Sequence, residues 1–243
     1  MTQQAAPGTG KVFLIGAGPG AADLLTVRAV RILAQAEVVL YDALVTHEVL
    51  ALCPQAEKIS VGKRSGQRST AQVAINELLI DCARKHQLVV RLKGGDPMLF
   101  GRADEELSAL ESNGIAVKVV PGITTAFAAA ASTQQPLTKR GVARSIAFFT
   151  AATAPGEPDL LTLPNTDTLI QYMGGREAVV TARKLLEQGR SPELPVVIVE
   201  NCSLPSERIA RISLQELERG LGERPGPVLV MIGEAMARRP TSR

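Results

Sequence analysis

Residues 11–20 read KVFLIGAGPG, an apolar run that breaks at Gly16-Ala17-Gly18-Pro19-Gly20. A short Val/Ile/Leu-rich run bounded by glycine and proline predicts a buried strand ending in a turn. The pattern recurs as EVVLY at 37–41, EKISV at 57–61, LVVRL at 88–92, IAVKVV at 115–120 and SIAFFT at 145–150. It continues as TLIQYM at 168–173, PVVIVE at 195–200, RIARIS at 208–213 and PVLVMI at 227–232. Helical periodicity lies between most of these runs, as at Leu25, Ala29, Ile32 and Leu33, or at Val73, Leu78 and Leu79. Strands alternating with helices predict parallel βαβ units and an open sheet of α/β class. So many strands crowd a single twisted sheet, so two sheets of about five are expected. The alanine-rich stretch at 123–133 follows Pro121-Gly122 and marks the boundary. The expected organisation is a disordered leader over 1–10, one α/β domain over 11–122 and a second over 123–243.

Composition excludes several function classes. The 243 residues are 45% hydrophobic and 21% charged, ordinary usage for a soluble domain. Lys and Arg number 27 against 24 Asp and Glu, so a net charge of +3 is too balanced to announce a nucleic-acid or membrane-surface protein. With no Trp and two Tyr, base stacking is poorly served. Cys53, Cys82 and Cys202 are odd in number and far apart, which fits neither a disulfide framework nor a zinc site and implies a reducing cytoplasm. The start lacks the basic and apolar regions of an export signal, and no apolar run is long enough to span a membrane.

Glycine loops follow two of the strands. Gly16-Ala17-Gly18-Pro19-Gly20 permits a tight turn and close approach of backbone to a ligand, with Asp23 placed to cap the next helix. Gly16, Gly18 and Ala21 also satisfy a loose dinucleotide fingerprint, with Asp42 where a ribose-binding acid would stand. A nicotinamide enzyme is therefore an alternative, although Pro19 removes an N–H from the loop that should hold pyrophosphate. Lys93-Gly94-Gly95-Asp96-Pro97 places a second exposed backbone on the same rim, where Asp96 is suited to a hydroxyl or ammonium group. Pro121-Gly122-Ile123-Thr124-Thr125 adds two hydroxyls. Tyr41-Asp42 and Val61-Gly62-Lys63-Arg64 set an acid and two cations at neighbouring strand ends, fit for proton movement or for an anionic substrate. Further cations fall on loops, at Arg68, Lys93, Arg102, Lys139, Arg140 and Arg144, where guanidinium forks match carboxylates.

Taken together, VFLIGAGPGAADLLTVRAVRIL, YDALV, VGKRSG, VVRLKGGDPMLFGR, VVPGITT, PLTKR and QYMGG resemble the tetrapyrrole methylases. YDALV with VGKR points to the branch acting on uroporphyrinogen III, and the motifs run in order from about residue 11 to about 233. The resemblance implies two α/β domains, each an open mixed or parallel sheet flanked by helices, S-adenosylmethionine in the cleft between them, and a homodimer. It places cofactor contacts on Pro19, Gly94, Gly95, Asp96, Leu99, Thr124, Thr125, Met173 and Cys202. It makes Asp42 a proton acceptor and Lys63 a proton donor, counts Arg102 with them as catalytic, and has Arg102 and Glu105 handling substrate. Lys63, Arg64, Lys139 and Arg140 join them as cations for a polycarboxylate. The chain departs from common family usage at Thr125, Ala103-Asp104, Lys139 and Cys202.

The implied chemistry needs positioning of an activated methyl group and a base, a carboxylate or a substrate-coupled arginine, to remove a proton, and no metal. The expected reaction is two successive methylations of uroporphyrinogen III, on rings A and B, giving precorrin-2 and S-adenosylhomocysteine. A protein that only senses S-adenosylmethionine would need Pro19 and Gly94 to Asp96 but not Asp42, Lys63 and Arg102.

Overall fold

The computed structural model describes residues 10–62, 72–152 and 162–238. The expected leader falls almost wholly outside these residues, as do residues 153–161. The chain divides into two compact units at Thr124/Thr125.

The first unit holds strands β1 (Lys11–Gly16), β2 (Val38–Tyr41), β3 (Glu57–Ser60), β4 (Leu88–Lys93) and β5 (Val117–Val120) in the order β3-β2-β4-β1-β5. All neighbours are parallel. Helices α1 (Val27–Leu33), α2 (His47–Leu50), α3 (Gln72–Lys85) and α4 (Ala103–Ser112) supply the crossovers. Val12 and Leu14 of β1 pack with Leu40, Val89, Leu79 and Leu110 on one face, whereas Ile15 packs with Leu33, Val39, Val90 and Leu92 on the other. Both faces are covered, so the inner strands read as continuous apolar runs. Each fully buried Leu or Ile contributes about 1.5–3 kcal/mol.

Two local expectations differ from the structure. Asp23 does not cap a helix: it sits in a short 3-10 turn over Ala22–Leu24, and Thr26 Oγ1 caps α1 by accepting from Ala29 N–H at 3.2 Å. In α3 the buried positions are Ile75, Leu79, Cys82 and Ala83, which share one helical stripe, and Val73 is 67% exposed. Leu79 lies on that stripe and Leu78 packs partly buried beside it, whereas Val73, six residues before Leu79, is about 120° round the helix from it.

The topology places β4 between β1 and β2, and its C-terminal end emerges between their two loops. The ends of β1, β4 and β5 are packed backbone on backbone. A Cβ on Gly16 would stand 2.6 Å from Gly122 Cα and Gly95 O, and one on Gly122 would stand 2.3 Å from Gly95 O.

The second unit opens with α5 (Thr125–Ser132) and continues through β6 (Ile146–Thr150), β7 (Thr168–Tyr172), α6 (Glu177–Glu187), β8 (Pro195–Glu200), β9 (Arg208–Ser213), α7 (Leu214–Arg219) and β10 (Val228–Ile232). Its sheet is mixed, in the order β6-β7-β10-β8-β9 with only β6 and β7 parallel. Ala178, Ala182 and Leu185 of α6, with Leu214 and Leu217 of α7, cover Leu169, Val196, Ile198 and Val230. A capping box starts α7: Glu216 N–H donates to Ser213 Oγ at 3.2 Å and Ser213 N–H to Glu216 Oε2 at 2.7 Å. Fully buried Glu200 clamps the far end, accepting from Arg208 Nη2 at 2.7 Å and Gly226 N–H at 2.9 Å. Burial pushes its carboxyl up, but the bonds from Arg208 and Gly226 outweigh this and hold it below the usual 4.5.

Gly122→Ala should lower stability by about 1–3 kcal/mol, because backbone must move to admit the methyl group. Gly175→Ala, whose Cβ would meet nothing nearer than 3.9 Å, should stay within about 0.5 kcal/mol of the parent in urea denaturation. Because the folded carboxyl of Glu200 lies below its unfolded value, its stabilisation is present above pH 4.5 and is lost as pH falls through the folded value. Glu200→Gln should be less stable at neutral pH by about 1–3 kcal/mol and lose less on acidification, read from unfolding temperature against pH.

Candidate functional site

In open parallel sheets ligands bind outside the carboxyl ends of the strands, and here three loops are tied together at that rim. Ala17 N–H donates to Lys93 O at 2.7 Å, and Gly18 and Gly95 exchange hydrogen bonds of 3.2 and 2.7 Å. Asp96 straps the third loop: Oδ1 accepts from Met98 N–H and Oδ2 from Gly122 N–H, both at 2.9 Å. Leu99 N–H donates to Asp96 O at 3.3 Å. The structure therefore gathers Pro19, Gly94, Gly95, Asp96 and Leu99, with Thr124 two residues beyond Gly122. Asp96 works first as a tie between loops rather than as a lone ligand carboxylate. Gly95 has φ +67 and nothing within 4 Å of where a Cβ would stand, so its backbone can be approached closely.

The dinucleotide alternative does not survive this geometry. The amides of Ala17 and Gly18 are bonded to Lys93 and Gly95, and the first loop leads into a 3-10 turn, with α1 starting only at Val27. A pyrophosphate would find no helix N-terminus directly behind the glycines. Asp42 likewise bonds to an arginine.

That arginine is Arg91, on the central strand between Leu14 and Leu40. Arg91 Nη2 donates to Asp42 Oδ1 at 2.5 Å, Nε to Glu106 Oε1 at 2.9 Å and Nη1 to Leu92 O at 3.2 Å. Lys93 Nζ donates to Glu106 Oε2 at 3.0 Å. Arg91, Lys93 and Glu106 are buried, while the Asp42 side chain retains 30% exposure. Burial, reinforced by the Arg91 charge, pushes the Lys93 ammonium below its usual range. Lys93, expected on a loop, is the last residue of β4. Glu106 carries a signal that periodicity offers: with Ala103 and Leu110 it lies on the buried stripe of α4.

Glu105 and Arg102 come together on the outside. Arg102 donates through Nε and Nη2 to the two Glu105 oxygens at 2.7 and 2.8 Å, with side chains 59% and 46% exposed. Each raises the other's preference for its charged form. Lys63, Arg64 and Arg68 lie outside the described residues.

In the second unit Thr125, Met173 and Cys202 follow the same logic of strand-end loops. Ala126 N–H donates to the Tyr172 hydroxyl at 3.2 Å, which ties the end of β7 to the start of α5, and Cys202 Sγ lies 4.0 Å from Thr125 O. Burial, then Glu207, pushes the Cys202 thiol up to about 12, so it acts as a small apolar wall. Met173 is 50% exposed. Lys139 and Arg140 stand apart on an exposed turn closed by mutual Lys139–Ala143 bonds of 2.8 Å. With Arg144 they line a pocket of about 450 Å³, where Asp167 accepts from Arg144 N–H and Ser145 N–H at 2.9 Å. Among the described residues no group of three His, Cys, Asp or Glu could hold a metal, and no helix is long and apolar enough to cross a membrane. All three cysteines are unpaired and buried.

The family Tetrapyrrole (Corrin/Porphyrin) Methylases matches residues 11–218. The chain belongs to the tetrapyrrole methylases. It is 44% identical over 232 residues to a siroheme synthase of Psychrobacter sp. strain PRwf-1, covering 93% of this chain and 47% of that one. The chain thus spans about half the length of the siroheme synthases it matches. A uroporphyrinogen-III C-methyltransferase of Synechococcus elongatus is 40% identical over 233 residues, 94% of each chain. A solved uroporphyrin-III C-methyltransferase of Thermus thermophilus, complexed with S-adenosylhomocysteine, superposes with TM-score 0.82 at 43% identity over 93% of each chain.

In this tetrapyrrole methylase, neighbouring acids should therefore differ sharply. Glu106→Gln leaves two buried cations short of a counter-charge and should cost about 3–5 kcal/mol. Glu105→Gln breaks only a surface pair, worth about 1 kcal/mol or less. Lys93 already binds its proton less tightly than the unfolded chain, whose value is 10.5, so the folded state of Glu106→Gln should recover stability as pH rises and Lys93 neutralises. Urea denaturation at two alkaline pH values checks both statements.

Proposed function

We propose that the protein is an S-adenosylmethionine-dependent C-methyltransferase that converts uroporphyrinogen III, through precorrin-1, to precorrin-2. The observation that carries this reading is a partly open carboxylate, Asp42, set beside a glycine loop built for close backbone contact. Leu44, two residues after Asp42, packs against Gly94, with its Cβ 3.1 Å from where a Gly94 Cβ would stand.

The residues present fit the cofactor. Gly95 offers an open backbone face, and Pro19 and Leu99 offer apolar edges; Thr124, Thr125, Met173 and Cys202 are assigned to the cofactor by family correspondence. When bound, S-adenosylmethionine supplies an activated methyl group, so these side chains have mainly to orient it. After a pyrrole carbon of the substrate has gained the methyl group, the ring system carries a positive charge. A C–H bond on the bridging carbon then breaks, its electron pair neutralises the ring, and Asp42 takes the proton. Lys63 is assigned as proton donor by the same family correspondence. Arg102, with Glu105 holding its fork, and the cations Arg64, Lys139 and Arg140 are assigned to the substrate carboxylates. The product feeds siroheme, cobalamin or heme d1 synthesis, and the enzyme works as a cytoplasmic homodimer.

Incubating the purified protein anaerobically with uroporphyrinogen III and S-adenosylmethionine should yield a product heavier by two methyl groups, with the absorbance of a dimethylated dipyrrocorphin. Binding of S-adenosylmethionine in calorimetry without methyl transfer would keep a methylase acting on a later corrinoid precursor and discard this substrate.

A further inference from the structure

Arg91 is an expensive residue in its position. It lies in register with Leu14 on one side and Leu40 on the other, both fully buried, where an apolar side chain would serve the fold equally well. Removing a guanidinium, an ammonium and a carboxylate from water is often unfavourable even when they pair, so stability alone is a weak reason for this cluster. Its wiring has a direction. Glu106, on the buried stripe of α4, holds Arg91 Nε with one oxygen and Lys93 Nζ with the other. Gln72 Nε2 also donates to Glu106 Oε1, at 3.3 Å. Leu92 O takes Arg91 Nη1. The guanidinium plane is thereby fixed from two sides, and its remaining arm, Nη2, reaches Asp42 Oδ1. Among the described residues Asp42 Oδ2 has no partner, and Asp42 is the only member of the four that reaches solvent.

We infer that Arg91 is a positioning residue for proton transfer: fixed by Glu106, its guanidinium holds Asp42 Oδ1 so that Oδ2 is aimed at the proton to be removed. The inference rests on Asp42 being the proton acceptor of the reading above. Arginine is required for geometric reasons, since a lysine has a single nitrogen and cannot reach Glu106 and Asp42 with separate arms at fixed spacing. Lys93, pushed below its usual range by burial and by Arg91, shares its buried setting with Arg91 and Glu106, so the guanidinium is held by protein groups rather than by water.

The test compares Arg91→Lys, Asp42→Asn and the double variant in anaerobic turnover of uroporphyrinogen III, with S-adenosylmethionine binding by calorimetry as an independent readout. Asp42→Asn should lower kcat about 10²–10⁴-fold through loss of the base. Arg91→Lys should lower kcat about 10–100-fold through misplacement, with KM and the S-adenosylmethionine Kd within about twofold of the parent. The double variant should be no slower than Asp42→Asn, because positioning is worthless once the base is gone. Multiplied losses in the double variant, an Arg91→Lys kcat within twofold of the parent, or a tenfold loss of cofactor affinity would each overturn the inference while leaving the substrate reading intact. No methyl transfer by the parent protein would overturn that reading and the inference with it. Should Arg91→Lys not fold, Asp42→Glu carries the test: it keeps a carboxylate but displaces it by one methylene group against a fixed guanidinium. A loss of kcat with unchanged cofactor binding is expected, and parental kcat refutes positioning.

Discussion

Three backbone segments approach one another so closely at the C-terminal edge of the first sheet that side chains are excluded. Gly16, Gly95 and Gly122 come from the ends of β1, β4 and β5, and a methyl group on the first or the last would overlap backbone of the other two. Asp96 then ties the β4 loop to the β5 loop through Gly122 N–H, and the Gly18–Gly95 pair ties it to the β1 loop. The consequence is a rim whose shape is set by main chain rather than by rotamers. Such a rim can hold a reacting group to within a fraction of an ångström, which is what methyl transfer asks of a protein. Gly95 is the point where this rigid rim turns an open face outward.

The charge cluster beneath the rim uses a different kind of constraint. Backbone packing fixes where the loops are, but a carboxylate on a loop still has freedom about its own torsions. Asp42 loses that freedom to Arg91, which has lost its own to Glu106. Order therefore passes from α4 to the central strand to the first residue beyond β2, through bonds of 2.9 and 2.5 Å. The sequence neighbours Glu105 and Glu106 divide the work of binding outward and holding inward, because a helix turns adjacent residues by about 100°.

Strands were legible in the sequence because most are apolar runs stopped by glycine, proline or charge, and all ten runs form strands. The two-sheet arrangement was legible from number alone. The cluster around Glu106 was not, since a glutamate in a run of three acids, Asp104-Glu105-Glu106, reads as a solvated helix start until Ala103 and Leu110 are seen to share its stripe. Arg91 was hidden inside an otherwise apolar strand, and its importance follows from β4 being inserted between β1 and β2, a fact of topology that no local window contains. Asp23 misled for a related reason: an acid after a glycine loop suggests a cap, but the chain first makes a 3-10 turn and Thr26 takes that role. Of the residues credited through family resemblance, Pro19, Gly94, Gly95, Asp96 and Leu99 lie on the loops after β1 and β4, and Met173 and Cys202 on those after β7 and β8, where spacing alone could not have ranked them, whereas Glu105 lies in α4 and Lys139 and Arg140 on a turn before β6.

Backbone strain gives a separate line of argument for those loops. Phe100 and Arg102 have φ of 53° and 54°, Met173 has 53°, and Asn201 and Ser203 have 52° and 66°. Left-handed conformations of residues with a side chain cost of the order of 1–2 kcal/mol, least for asparagine. Apart from Gln134, every such residue among those described lies on the loops after β4, β7 or β8. Each flanks or is a position assigned to cofactor or substrate: Phe100 follows Leu99, Met173 is itself assigned, and Asn201 and Ser203 bracket Cys202. Strain at such places is sustained by the surrounding fold, and its effect is to fix side chains that free loops would leave to wander. Glycine at these positions would relieve the backbone and release the very geometry that the rim and the charge cluster impose elsewhere.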